Sequence, residues 1–313
     1  MIRAGLYGAN GHQIQHELAK HPLARVTAVA AVPEDFPAGD ARRYATLDEL
    51  LADPEVDFVS LCSPRRRDQA AEAVRCLSAG KHVLAEKPCA MTEPELDAII
   101  TAARATGKVF HEMAGTAFTQ PYLAMREVVL SGRLGEIVQV VTEKSYPYHE
   151  GRPQDEGEDL DGGQIGQNAI HALRFIEHVA GVPITSVRAA ETRLGNPVPG
   201  GGLRMAASLL LTLANGGLAS VSANYLNPRG TGTWGDESLR ILGTRGMVES
   251  RAGGRHTRLV IGERDEGPLD TAPPALSWLD LFLTELGGGP ALPLTLEEEL
   301  SPTRWTIRAR ESL

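Results

Sequence analysis

Over residues 1–112 the chain alternates short runs rich in β-branched residues with runs of helical periodicity, and few folds can be built from that alternation. The pattern predicts strands over 2–7, 25–32, 56–62, 82–85 and 108–111, with helices over 12–20, 47–51, 68–79 and 92–106 between them. Strand, helix and strand in strict succession require parallel pairing through crossover helices, so this half reads as an α/β sheet covered on its faces. Local punctuation agrees. Thr92-Glu93-Pro94-Glu95 is a capping box in which the Thr hydroxyl and the Glu carboxylate satisfy orphan amides, while Gly80 and Gly107 stand where helices should stop.

After residue 118 the texture changes. A helix over 122–131 and a strand over 137–144 precede a polar loop over 147–163, followed by a helix over 167–180. Strand-like runs then recur at 184–192, 206–213, 218–224, 238–242, 247–249 and 258–261, mostly joined by glycine turns. That spacing suits a large, mostly antiparallel sheet. Helices over 275–286 and 296–310 close the chain around the break Gly287-Gly288-Gly289-Pro290. With 313 residues, the expected organisation is two domains, 1–118 and 119–313.

Charge and composition remove several classes of function. Lys and Arg number 31 against 40 Asp and Glu, a formal net charge of -9, so nothing draws the chain to nucleic acid or to anionic membrane surfaces. The longest apolar stretch, 205–214, is too short to cross a bilayer, and Gly8, Asn10 and Gly11 interrupt the amino terminus before a signal-type core could form. A cytoplasmic protein is expected. Cys62, Cys76 and Cys89 are too few and too scattered for a disulfide framework or a zinc site. His12 and His16 have metal-like spacing but no third ligand, so no metal is expected.

The turn Gly5-Leu6-Tyr7-Gly8-Ala9-Asn10-Gly11 lies where the first strand gives way to the first helix. There, backbone amides of Gly8, Ala9, Asn10, Gly11 and His12 can face the pyrophosphate of NAD or NADP. Its spelling departs from G-x-G-x-x-G: Gly8 fits the first glycine, and Asn10 and Gln13 replace the second and third. Asn tolerates left-handed geometry better than other non-glycine residues. At the end of the second strand, where an acid would hold ribose hydroxyls, stand Ala30, Ala31 and Val32. Two alternatives remain: Glu34 or Asp35 reaching the ribose from the loop, or Arg42, Arg43 and Arg65 to Arg67 taking a 2′-phosphate.

Val56-Asp57-Phe58-Val59-Ser60-Leu61-Cys62-Ser63-Pro64, then Gly80-Lys81-His82-Val83 leading to Glu86-Lys87-Pro88, resembles the glucose-fructose oxidoreductase and inositol dehydrogenase family, Gfo/Idh/MocA. The resemblance continues through Ser131-Gly132-Arg133-Leu134-Gly135 and through Gly162-Gly163-Gln164-Ile165-Gly166-Gln167-Asn168-Ala169-Ile170-His171. It implies an amino-terminal Rossmann domain, a carboxy-terminal α/β domain whose open sheet forms homo-oligomer contacts, and NAD(P)-dependent chemistry at a hydroxyl or keto carbon of a sugar, cyclitol or related small polyol. Ser63, Pro64 and Glu86 join the cofactor-binding set.

Lys87 is implied to lie against nicotinamide and the substrate hydroxyl. An ammonium at the carboxyl end of a parallel strand can stabilise charge on a reacting oxygen. His171 matches the family histidine, and its ordinary pKa suits proton transfer near neutrality. The family pattern usually places an acid or amide four residues earlier and often an Asp three residues later; here stand Gln167 and Arg174. Gln167 can hydrogen-bond but cannot ionise. Asn168 is expected to help orient substrate, and Trp234 to form a substrate wall. Alternatives to a dehydrogenase are a dinucleotide-binding regulatory protein without turnover, and a lyase or epimerase using bound NAD transiently.

Overall fold

The computed structural model describes residues 1–113, 115–154, 159–274 and 276–313. It divides into two units: one of residues 1–113, 159–162 and 278–300, the other of 114–158, 163–277 and 301–313.

The first unit is built on six parallel strands, β1 (Ile2–Tyr7), β2 (Ala24–Ala30), β3 (Arg42–Tyr44), β4 (Phe58–Leu61), β5 (His82–Ala85) and β6 (Phe110–Glu112), ordered β3-β2-β1-β4-β5-β6. This is the doubly wound Rossmann order, in which the winding direction reverses between β1 and β4 and ligands bind beyond the carboxyl ends at that reversal. The crossovers are α1 (Gln15–Leu18), α2 (Leu47–Ala52), α3 (Gln69–Ser78) and α4 (Glu93–Thr106). Thr46 and Thr92 both form complete capping boxes, with Glu49 and Glu95 returning to the cap amides. The core gathers Ala4, Leu6, Leu18, Val29, Phe58 and Leu84.

Two features of this unit differ from the sequence expectation. The helix predicted over 12–20 is a single turn, because Gln13 sits across the sheet end instead. Its Nε2 donates to the carbonyls of Gly8 (3.0 Å) and Ser60 (3.1 Å), and its Oε1 accepts from Ser60 Oγ at 2.7 Å. A side chain that caps strand carbonyls competes with helix initiation at its own position. The second difference lies at the carboxy terminus. A split at 118/119 assigns residues 278–300 to the second domain, yet they belong to the first unit. Helix α7 (Trp278–Leu286) buries Phe282 and Leu283 in the core, with Phe282 edge-on to Phe58 at 5.3 Å. Each such side chain contributes about 1.5–3 kcal/mol of burial. The predicted start of this helix at Ala275 lies outside the described residues.

The second unit begins its regular structure with α5 (Tyr122–Leu130) and centres on eight strands, β7 (Ile137–Ser145), β8 (Ile184–Thr192), β9 (Ala206–Leu213), β10 (Leu218–Asn224), β11 (Asp236–Gly243), β12 (Gly246–Arg251), β13 (His256–Ile261) and β14 (Arg264–Gly267). Their order is β14-β13-β12-β11-β7-β10-β9-β8. Every pairing is antiparallel except the parallel β7–β10 pair. Leu209, Leu211, Val221 and Ala223 are buried, while Val141, Leu210 and Leu218, at alternate positions, are exposed. An open groove of about 550 Å³ runs along the exposed face beside Val141, Arg188, Leu210 and Ser220.

The helix expected over 167–180 is more irregular than its periodicity suggests. A π-helical stretch, Gln164–Ala169, leads into α6 (Ile170–Arg174), and a second π stretch, Phe175–Val179, follows. Such wide turns are rare and occur often at functional positions. The chain ends in α8 (Leu296–Glu311). The short edge strands β3 and β14 carried no alternating apolar signal and were not anticipated.

Candidate functional site

In the first unit, the glycine turn stands at the reversal point of the sheet. Gly8 has a φ of +71°, and a Cβ there would lie 2.1 Å from the Cys62 carbonyl oxygen, so only glycine lets the turn approach β4 this closely. Its amide is tied to Ala30 O at 2.9 Å, and that of Asn10 to Cys62 O at 3.2 Å. Ala9, Gly11 and His12 are exposed on the outer side of the turn. Asn10 takes the second glycine position by hydrogen-bonding outward, donating from Nδ2 to Pro64 O (3.2 Å) and Leu160 O (2.6 Å). The tight Gly8 approach and the exposed outer rim suit a pyrophosphate. Ser63 and Pro64 close the back, Ser63 fully buried with its amide on Gln69 Oε1.

Glu86-Lys87-Pro88 follows β5, with a cis peptide between Lys87 and Pro88. Glu86 and Lys87 are both buried. The Glu86 carboxylate accepts from the His12 amide (2.5 Å), lies 2.8 Å from His12 Nδ1, and accepts from the Lys87 amide (2.9 Å). Burial alone would push this carboxyl up. The His12 hydrogen bond and the nearby charges of Lys87 and Arg66 outweigh it and hold Glu86 far below the ordinary carboxylate range. An ionised carboxylate therefore takes the His12 amide, one of the donors expected to face the cofactor.

Sequence reasoning missed two residues that unite these elements. Arg66 and Gln69 are buried just after β4. Arg66 donates to Asn10 O at 2.7 Å and to Gln69 Oε1 at 2.5 Å, and Gln69 Nε2 donates to the carbonyls of Glu86 and of Pro88, the latter at 3.1 Å. The only signal was the Arg65-Arg66-Arg67 run, read as phosphate ligands or surface charge. Of the other arginines considered for a 2′-phosphate, Arg42 pairs with Asp53 (2.7 Å), Arg65 and Arg67 pair with Asp159, and Arg43 donates to Pro33 O (3.1 Å) and Phe36 O (2.8 Å). Glu34 and Asp35 are exposed in the loop after β2.

In the second unit, Gln167 lies in the first π stretch and His171 on α6, both half-buried. His171 Nε2 is 3.2 Å from the Tyr146 hydroxyl, with the rings edge-on. Asn168 is fully buried and donates from Nδ2 to Asn224 O at 2.9 Å, anchoring the π stretch to β10. Arg174 is buried at the position three beyond His171. Trp234 is 62% exposed and packs tilted against His149, 5.7 Å between ring centres. Tyr146 carried no signal in the sequence: it is one aromatic residue after a strand, and only the fold sets it beside His171. Among the described residues there is no cluster of three or more His, Cys, Asp or Glu side chains that could hold a metal, and no helix is long and apolar enough to cross a membrane. Cys62, Cys76 and Cys89 are buried free thiols, and burial pushes the thiols of Cys62 and Cys76 well up.

An oxidoreductase family with an NAD-binding Rossmann fold matches residues 6–113, and the GFO/IDH/MocA C-terminal domain matches residues 122–249. The chain belongs to the GFO/IDH/MocA oxidoreductase family. It is 27% identical over 241 residues to mouse (Mus musculus) trans-1,2-dihydrobenzene-1,2-diol dehydrogenase, covering 75% of this chain and 66% of that one. It is 33% identical over 148 residues to 1,5-anhydro-D-fructose reductase of Ensifer adhaerens, covering 44% and 43%. The matches thus span two-fifths to two-thirds of these curated relatives' length. Among solved structures, an oxidoreductase from Thermotoga maritima superposes with a TM-score of 0.87 at 28% identity, covering 99% of this chain and 97% of that one.

Proposed function

We propose that this oxidoreductase transfers a hydride between NAD and a hydroxyl or keto carbon of a sugar, cyclitol or vicinal diol. The observation that carries this reading is the buried relay from Asn10 O through Arg66 and Gln69 to the carbonyls of Glu86 and Pro88. It fixes the pyrophosphate turn and the lysine element as one piece at the carboxyl ends of β1, β4 and β5, which is the preorganisation that hydride transfer needs. The exposed rim of Ala9 and Gly11 would lie against the pyrophosphate, with Gly8 and Asn10 shaping the turn beneath it and Ser63 and Pro64 behind. When bound, the nicotinamide accepts or returns the hydride. Lys87 stabilises negative charge on the substrate oxygen, His171 serves the hydroxyl proton, and Gln167 and Trp234 contribute to substrate binding.

NAD is preferred over NADP in this reading. Arg42 is already paired, Arg43 is folded onto loop carbonyls, and the exposed Glu34 and Asp35 would repel a 2′-phosphate. The names of the dihydrodiol dehydrogenase and anhydrofructose reductase relatives support the diol and sugar classes. A second copy of the chain covers the exposed sheet face, and the protein works in the cytoplasm, where buried free thiols persist.

The test is a titration of the purified protein with NAD(H) and NADP(H). An assay of polyols, sugars, vicinal diols and their keto forms follows at the nicotinamide absorbance band. Failure to bind either cofactor would end this reading. Tight binding with no turnover on any substrate class would instead support a regulatory binder, which the non-ionising Gln167 and the carboxylate on the His12 amide favour.

A further inference from the structure

We propose that Tyr146 is a further catalytic residue, taking the hydroxyl proton of the substrate while passing its own proton to His171 Nε2. The proposal rests on the dehydrogenase reading above and names its proton acceptor. A neutral imidazole has one lone pair, on the nitrogen that lacks hydrogen. The geometry sets His171 Nε2 3.2 Å from the Tyr146 phenol oxygen, so in the tautomer with its proton on Nδ1 the basic nitrogen of His171 is reached through that hydroxyl.

Tyr146 is held from several sides. Its amide donates to Asn224 O at 2.9 Å, and its carbonyl accepts from the Asn227 amide at 3.0 Å. A Cβ on Gly235 would come within 3.1 Å of the ring, so glycine there leaves the ring its place. Two cations face the ring: Lys144 Nζ, 4.9 Å from its centre, and the Arg152 guanidinium carbon at 5.9 Å. Both favour negative charge building on the phenol oxygen. Lys144 is fixed in turn by Glu237, its direct cross-strand partner in the β7–β11 pair, and Tyr122 donates to the other oxygen of Glu237 at 2.7 Å. Burial works against the charge on Lys144, but Tyr146 and Glu237 outweigh it, so the ammonium is held above its ordinary pKa. The titratable and charged groups facing Tyr146 include, among the described residues, Lys144, Arg152 and His171, with Glu237 behind Lys144.

In the oxidation direction the carbinol C–H bond breaks and its hydride passes to the nicotinamide, which is reduced. The substrate O–H bond breaks, its proton binds Tyr146 Oη, and the Tyr146 proton moves to His171 Nε2. The carbon–oxygen double bond forms, and half-buried His171 returns the proton to water. Reduction runs the same transfers backwards. The phenol does here what a carboxylate at position 167 could have assisted and Gln167 cannot.

Tyr146→Phe removes the hydroxyl, and with it the hydrogen bond to Lys144, and keeps the ring beneath both cations. In the cofactor-bound enzyme it should lower kcat by about a hundredfold, with KM nearly unchanged. By nuclear magnetic resonance, the His171 imidazole should titrate at higher pH in the variant, because the bond that favours its neutral form is gone. An active wild type beside a Phe variant with undiminished kcat overturns the proposal and leaves the dehydrogenase reading standing. An unmoved His171 titration also overturns it, whatever the activity. A wild type that binds cofactor and turns over nothing removes both.

Discussion

His111 offers a stability measurement whose size and sign follow from its surroundings. It is buried on β6, with Nδ1 2.5 Å from Glu299 and Nε2 3.0 Å from Glu285, and Glu299 also accepts from the Glu112 amide at 2.8 Å. Both nitrogens face carboxylates, and a neutral ring has only one N–H to give, so the imidazolium is the form that fits. Burial opposes the charge, but Glu299 and Glu285 together raise the pKa from 6.5 to about 10. That rise corresponds to on the order of 5 kcal/mol of preference for the charged ring in the folded state. Because the folded pKa lies above the unfolded one, the contribution is complete below about pH 6.5 and is lost as pH climbs toward about 10. His111→Gln isolates it. Urea unfolding of wild type and variant, followed by circular dichroism from about pH 6 to about pH 10, should show a stability gap that is widest at the acid end and closes toward the alkaline end. A gap that stays constant across this range would refute the imidazolium assignment.

Gly8→Val should abolish cofactor binding in fluorescence titration, since its branched side chain would meet the Cys62 carbonyl; a folded variant binding as tightly as wild type would place the cofactor elsewhere. Gln167→Asp should move the acid limb of the oxidation pH profile upward by roughly one unit, because a carboxylate close in sequence to His171 favours its protonated form. An unshifted limb would separate position 167 from the proton path. Light scattering should find an oligomer that Leu210→Lys, on the open sheet face, shifts toward monomer, and a wild type monomeric at high micromolar concentration would dismiss the covered face.

Most of the parallel sheet was legible because β1, β2, β4, β5 and β6 and the crossovers α2 to α4 carry their own signals, β-branched runs, the Thr92 capping box, Gly80 and Gly107. Lys87 and His171 enter the proposed site through the family resemblance of the short motifs around them. What escaped reading depends on distant partners. Gln13 looks like a helical residue until its amide is seen on the carbonyls of Gly8 and Ser60. Arg66 sits in a run that reads as surface charge, and nothing local says that Asn10 O and Gln69 await it inside. Asn168 looked available for substrate, but it is buried and bonded to Asn224 O on β10. The π stretches on either side of α6 keep the apolar pattern of an ordinary helix, so their altered pairing left no trace in periodicity.

The return of residues 278–300 to the first unit has a consequence for biosynthesis. A ribosome delivers β1 to β6 early, but Phe282 and Leu283, which pack with Phe58 and Leu84, and both carboxylates that clamp His111 emerge 170 to 187 residues after Glu112, the last residue of β6. Until then the nascent sheet has apolar side chains without their cover and a histidine without its counter-charges. The half of the protein that is made first thus waits for residues 278–300 before it is complete, and a fragment ending near residue 118 would keep that unfinished surface permanently, which marks it as prone to aggregation rather than as a portable cofactor-binding module.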